Sequence, residues 1–129
     1  MANSAPALPR FGRAAPTISV TDIASALAFY VGVLGFTKTF ENGDPVGFVI
    51  LQRDAAELHL TRTADHRASV QNVAHLLVED AQALYDHLIA HDTRIVKRLR
   101  DAPYGLRQFV FADPDGNRID VGEVLKRLA

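Results

Sequence analysis

The hydrophobic positions of the chain change period in a fixed order. "PTISV" (Pro16 to Val20) alternates with a period of two, as a half-buried strand does. From Ile23 the spacing switches to three and four, through Ala26, Leu27, Tyr30, Val31 and Leu34, which predicts a helix with one apolar stripe. Thr21 or Asp22 can cap its start, and Gly35 its end. Three strands follow, "FTKTFE", "VGFVILQ" and "AELHLTR", separated by turn signals at Asn42-Gly43-Asp44 and Asp54-Ala55.

The same order then returns. After the polar break "TADHRAS", "NVAHLLV" reads as a strand and Glu79-Asp80 as a cap. Ala81, Leu84, Tyr85, Leu88 and Ile89 form a second stripe, 58 positions after Ile23, Ala26, Leu27, Tyr30 and Val31. "FVILQRDAAELHL" (Phe48 to Leu60) aligns with "FVFADPDGNRIDV" (Phe109 to Val121) at an offset of 61. The three extra residues are expected between Gly35 and Phe48 or their counterparts. This predicts an α+β fold of two duplicated βαβββ modules, 15–62 and 72–123, with a linker at 63–71. Residues 1–14 read as a flexible or loosely packed arm, and 124–129 as a tail with one or two amphipathic turns. Neither half has the apolar surface to stand alone. The modules are therefore expected to form one structural domain, a curved mixed sheet around a cleft.

Composition narrows the function classes. The 129 residues carry a net charge of −1 with acids and bases interspersed, which argues against a nucleic-acid or membrane surface. Cysteine is absent, so there is no disulfide, thiol nucleophile or thiolate metal site. No apolar run approaches the roughly 20 residues of a membrane span. Prolines interrupt the N-terminal segment where a secretory signal would need continuity, so a cytoplasmic location is expected. The turn at "DPDGN" (Asp113 to Asn117) has a local explanation: Pro114 presets φ, Asp113 bonds back to the backbone, and Gly116 or Asn117 accepts positive φ.

The duplication, together with "VTDIASALAFYVGVLGF" (Val20 to Phe36) and "PYGLRQFVFADPDGNRIDVGE" (Pro103 to Glu123), resembles the vicinal oxygen chelate superfamily. That group includes glyoxalase I, bleomycin resistance proteins and extradiol dioxygenases. The Pro-Tyr-Gly-Leu-Arg run is most similar to the bleomycin-resistance branch. In metal-using members, the resemblance implies two symmetric pairs of ligands. One pair falls here at Ala15 and Val73, which cannot coordinate, and the other at His59 and Asp120, which can. With His75, two residues along from Val73, these would compose a two-His-one-carboxylate set for iron, manganese, nickel or zinc. Alternatively, His59 and Asp120 face each other as a hydrogen-bonded pair that orients a polar ligand. His87 and His91 read as part of a solvated helix face, and His66 as linker.

Strand alternation places Glu57, His59, His75, Phe109, Phe111, Arg118 and Asp120 toward the cleft, with Tyr104 and Arg107 at its rim. The expected function is binding of a small molecule in that cleft, with no catalytic metal. The alternative is a metal-dependent lyase or dioxygenase using His59, His75 and Asp120. Family resemblance also implies a homodimer.

Overall fold

A computed structural model describes residues 7–125. The first module runs β1 (Thr17–Val20), α1 (Ile23–Tyr30), β2 (Thr37–Gly43), β3 (Val46–Arg53) and β4 (Ala56–Arg62). The second repeats the order with β5 (Asn72–Leu77), α2 (Ala81–Ala90), β6 (Arg94–Asp101), β7 (Leu106–Ala112) and β8 (Arg118–Val124). The fold is thus α+β with duplicated βαβββ modules. Residues 7–16 form no helix or strand and are exposed or half-buried; the predicted turns of the tail fall at 126–129, outside the described residues.

Both helices start on a capping aspartate. The Asp22 carboxylate accepts from the Ser25 amide at 2.8 Å, and that of Asp80 from the Ala83 amide at 2.9 Å. The α-helical part of the first stripe ends at Tyr30; looser turns carry the chain to Gly35, whose φ of +77° reverses it at little steric cost.

The strands make two separate four-stranded sheets, ordered β1-β4-β3-β2 and β5-β8-β7-β6. In each, the first strand runs parallel to the last, while the other pairings are antiparallel. The helix-facing sides of both sheets share one core. Ile18, Val20, Leu58 and Leu60 enter it from the first sheet, and Phe109, Phe111, Ile119 and Val121 from the second. Phe29 of α1 reaches Phe111 of β7, with ring centroids 6.0 Å apart, so α1, which packs on β3 and β4 of its own sheet, also touches the sheet of the other module. The opposite sides of the sheets face outward. Among the described residues the strands of one chain do not join into a single curved sheet: β1 and β5 each have a strand neighbour on one side only.

A buried polar clasp joins the modules. Asp113, 5% exposed, accepts four hydrogen bonds: from the amides of Asp115 and Asn117, the Asn117 side-chain amide and the Tyr30 hydroxyl, all at 2.8–2.9 Å. Asn117 also donates to the Ser19 carbonyl at 2.9 Å. Both acceptors of its NH₂ group lack protons to give, so its oxygen must be the acceptor toward His66 Nε2, 2.8 Å away. Asp115 accepts from the Thr21 hydroxyl at 2.6 Å. The "DPDGN" turn is therefore more than a local device. It holds β1, α1 and the linker to the last hairpin, and His66 has a role that its linker position concealed.

Two stability effects follow. Replacing Asn117 with Ala leaves Asp113, Ser19 and His66 short of partners in a dry site, and urea denaturation should show a loss of about 2–4 kcal/mol. Burial, reinforced by the charge of Asp113, pushes the Tyr30 hydroxyl well above its usual 10.0. The folded state therefore keeps a proton that the unfolded state releases near 10. This stabilisation is complete below that pH and declines as pH rises above it. The tyrosinate absorbance of Tyr30 should appear only with alkaline unfolding, as comparison with Tyr30→Phe would reveal.

Candidate functional site

The outward sheet faces carry the polar side chains that the sequence singled out. On the first sheet, the pairings Phe40–Ile50, Ile50–His59 and His59–Thr17 form one cross-strand row, flanked by Phe48–Thr61 and Gln52–Glu57. Residues in register across neighbouring strands point to one face. Phe48 stands edge-on to both neighbours, 5.5 Å from the His59 ring and 6.2 Å from Phe40. The result is an aromatic platform with a polar end.

Glu57 organises that end. One oxygen accepts from Gln52 at 2.9 Å and from the Arg13 guanidinium at 2.8–2.9 Å; the other meets His59 Nε2 at 2.7 Å. These hydrogen bonds, Gln52's first and then those of His59 and Arg13, hold the Glu57 carboxyl down from its usual 4.5 to about 2. Arg13 belongs to the segment read as a loose arm, and its contact ties that segment to the sheet face.

On the second sheet, His75 and Asp120 are direct cross-strand neighbours, with Nδ1 and Oδ2 2.6 Å apart. His59 and Asp120, expected to face each other, lie on different sheets, and each has a nearer partner. Each sheet thus carries one histidine–carboxylate pair.

Phe109 and Phe111 do not line an open face. They are 1% and 0% exposed in the core, paired with Val121 and Ile119. The physical reason is a single residue. Val49 pairs with Leu60 and Phe109 with Val121, so β8 stands 61 positions after β4, whereas β7 stands only 60 after β3. The second hairpin turn is one residue longer than the Asp54-Ala55 turn, and a shift of one residue moves a strand's side chains to the other face. The true counterparts of Phe48 and Ile50 are Gln108 and Val110, neither of which sequence comparison selected.

Arg107 likewise lies on the helix side, in register with Glu123, and bonds Asp101 at 2.7 Å rather than edging a cleft. That contact raises the Arg107 pKa and lowers that of Asp101. Tyr104 is exposed, and its hydroxyl donates to Gln108 at 2.7 Å, which leans it over the open face of the second sheet. Arg118 is in register with Ala112 on that same face. His87 and His91 are occupied by backbone, Nε2 of His87 at 2.7 Å from the Val33 carbonyl and Nδ1 of His91 at 2.8 Å from that of His87. A groove of about 920 Å³ between the modules, walled by Phe36, Arg53, Leu77, Leu84 and His87, contains none of the predicted site residues.

The donors do not fit the family's metal centre within one chain. Among the described residues no three His, Asp or Glu side chains come together, and Ala15 and Val73 have no donor atom. Also among the described residues, no helix is long and apolar enough to cross a membrane.

Two βαβββ modules, each a four-stranded sheet with its helix, define the class of fold. The model of the Glyoxalase/Bleomycin resistance protein/Dioxygenase superfamily matches residues 10–121, and the chain belongs to that superfamily. A superfamily member from Sphaerobacter thermophilus DSM 20745 is 30% identical, with 84% of this chain and 94% of that one covered and a TM-score of 0.72. The bleomycin-binding protein of bleomycin-producing Streptomyces verticillus, complexed with copper(II)-bleomycin, is 25% identical over 93% of this chain and all (100%) of that one, with a TM-score of 0.69. The fold is also that of the bleomycin resistance determinant encoded on the transposon Tn5: TM-score 0.76, 23% identity, coverage 88% and 98%. No curated protein sequence matches the chain.

The Glu57 cluster makes a measurable prediction. Its carboxyl carbon, followed by NMR, should titrate near pH 2, and Gln52→Ala or Arg13→Ala should raise the midpoint toward 4.5. A folded-state pKa below the unfolded one stabilises the fold above about pH 4.5, and this contribution disappears as pH falls toward 2.

Proposed function

We propose that this protein binds a small molecule without a catalytic metal, in a cleft built by two copies of the chain. The observation that carries the reading is the outward placement of the two half-sites beside free sheet edges. Glu57 and His59 lie on β4, the neighbour of edge strand β1, while His75 lies on edge strand β5 itself. Joining β1 of one copy to β5 of another would continue one sheet into the other and bring the aromatic platform opposite the His75–Asp120 pair. It would also give each of these edges a second strand partner. Leu77 on β5, 66% exposed, is a large apolar side chain that such a joint would cover.

Ligand sequestration is supported by the chemistry of the donors. Glu57 is committed to Arg13, Gln52 and His59, and two of the family's four ligand positions are Ala15 and Val73. Such a face suits hydrogen bonding and stacking on a ligand better than holding a cation. The likeness to a protein whose structure contains copper(II)-bleomycin supports the same reading.

A second reading, a metal-dependent lyase or dioxygenase using His59, His75 and Asp120, draws on the same joint, since only two copies together would offer all three. Elemental analysis of native protein incubated with Fe(II), Mn(II), Ni(II) or Zn(II), alongside its solution mass, separates the two. The expected result is a dimer with no stoichiometric metal. Stoichiometric metal that disappears in His59→Ala or Asp120→Ala would establish the second reading and remove the first.

A further inference from the structure

The outward face of the second sheet carries a one-sided charge that the histidine–carboxylate pairs do not use. Its strands align in three rows. Arg94 is in register with Ala112 and then Arg118; Lys97 with Val110, Asp120 and His75; Arg100 with Gln108, Gly122 and Leu77. Arg94, Lys97 and Arg100 therefore stand along one side of this face, on edge strand β6, beside Ala112, Val110 and Gln108 of β7, and Asp120 is the one acid in their rows. Strict alternation from Arg94 would have put Val96 and Arg98 beside it. Irregularities between Ile95 and Lys97 and between Lys97 and Arg100 instead keep Lys97 on the open face while Ile95 and Leu99 pack on the core.

The wall outnumbers the acids that could neutralise it. Asp120 is bound to His75, and Glu57 on the first sheet is bound to Arg13. Among the described residues none of Arg94, Lys97, Arg100 and Arg118 forms an ion pair. Like charges aligned on one face repel each other, and an anion seated between them relieves that repulsion. Arginine adds a planar donor fork that matches a carboxylate. Charged side chains on edge strands also discourage aggregation, but that role needs only charge, not three cations aimed over one face.

We propose that the ligand is an aromatic anion, its ring stacked against Phe40, Phe48 and His59 and its acidic group held by the wall of Arg94, Lys97 and Arg100. This deepens the two-copy cleft proposed above and rests on it, because the platform and the basic wall lie on different sheets.

Titration calorimetry of the full chain with 1-naphthoate and with 1-naphthylmethylammonium, the same ring system with opposite charge, tests the idea. Naphthoate should bind at least about tenfold more tightly than the ammonium probe, the scale set by one charged hydrogen bond. In the double variant Lys97→Gln, Arg100→Gln that preference should vanish, while solution mass and circular dichroism stay unchanged. Tighter binding of the ammonium probe, lost in Asp120→Asn, would overturn the proposal and make the ligand a cation. Equal binding of both probes, insensitive to the double variant, would overturn it by reducing the basic wall to edge protection. Binding of neither probe to a confirmed dimer would overturn it for aromatic anions. A monomeric mass would instead remove the two-copy cleft itself.

Discussion

The arrangement depends on a buried carboxylate with all its hydrogen-bonding capacity filled. Asp113 sits where β7 turns toward β8, and its four donors come from the turn itself and from Tyr30 of the other module. A carboxyl group so buried is tolerated only when its partners are fixed, and fixing them fixes the modules against each other. Asn117 extends the constraint to the Ser19 carbonyl and to His66, so one five-residue turn specifies how β1, α1 and the linker approach the second sheet. Apolar contacts such as Phe29 on Phe111 supply much of the attraction, but they are not directional. The clasp selects one docking angle among those that would bury similar area.

That docking turns the helix sides of both sheets inward and consigns their other faces to the outside. The consequence for function is direct: residues that a cleft would need end up on two outward surfaces of the same chain. Each surface has its own character. One is aromatic, with a carboxylate neutralised by Arg13; the other is basic, with a histidine–aspartate pair. A ligand that needs both characters would need two copies, and the edges β1 and β5 are where the two-copy cleft proposed above would join.

Much of the fold was legible in the sequence because its cause is local. Asp22 and Asp80 cap helices by reaching an amide three residues ahead, and the apolar stripes behind them need only helical spacing. The duplication followed from matching those stripes, and the sharing of one sheet face by Glu57 and His59 from strand alternation. Phe109 and Phe111 were misplaced for an equally local reason. Their letters match Phe48 and Ile50 in an ungapped alignment, yet the longer turn shifts the register by one and sends them into the core. A weakly similar repeat does not reveal where a one-residue insertion falls; hydrogen-bond register does. The make-up of the basic wall on β6 was hidden for a related reason: strict alternation puts Arg98 with Arg94 and Arg100, and only the irregular pairing exchanges it for Lys97.

The sequence by itself determined the element order, the repeat, the capping residues and the inability of Ala15 and Val73 to bind a metal. These are properties of single side chains and of spacings within one helix or strand. Tertiary structure alone decided which histidine meets which carboxylate, that Arg13 holds Glu57, that the "DPDGN" turn locks two modules together, and that the site residues face away from each other. Such facts depend on which strands and segments become neighbours and on how the two sheets are oriented, both set by packing and hydrogen bonds between residues far apart in the chain, as from Arg13 to Glu57, His75 to Asp120 and Tyr30 to Asp113.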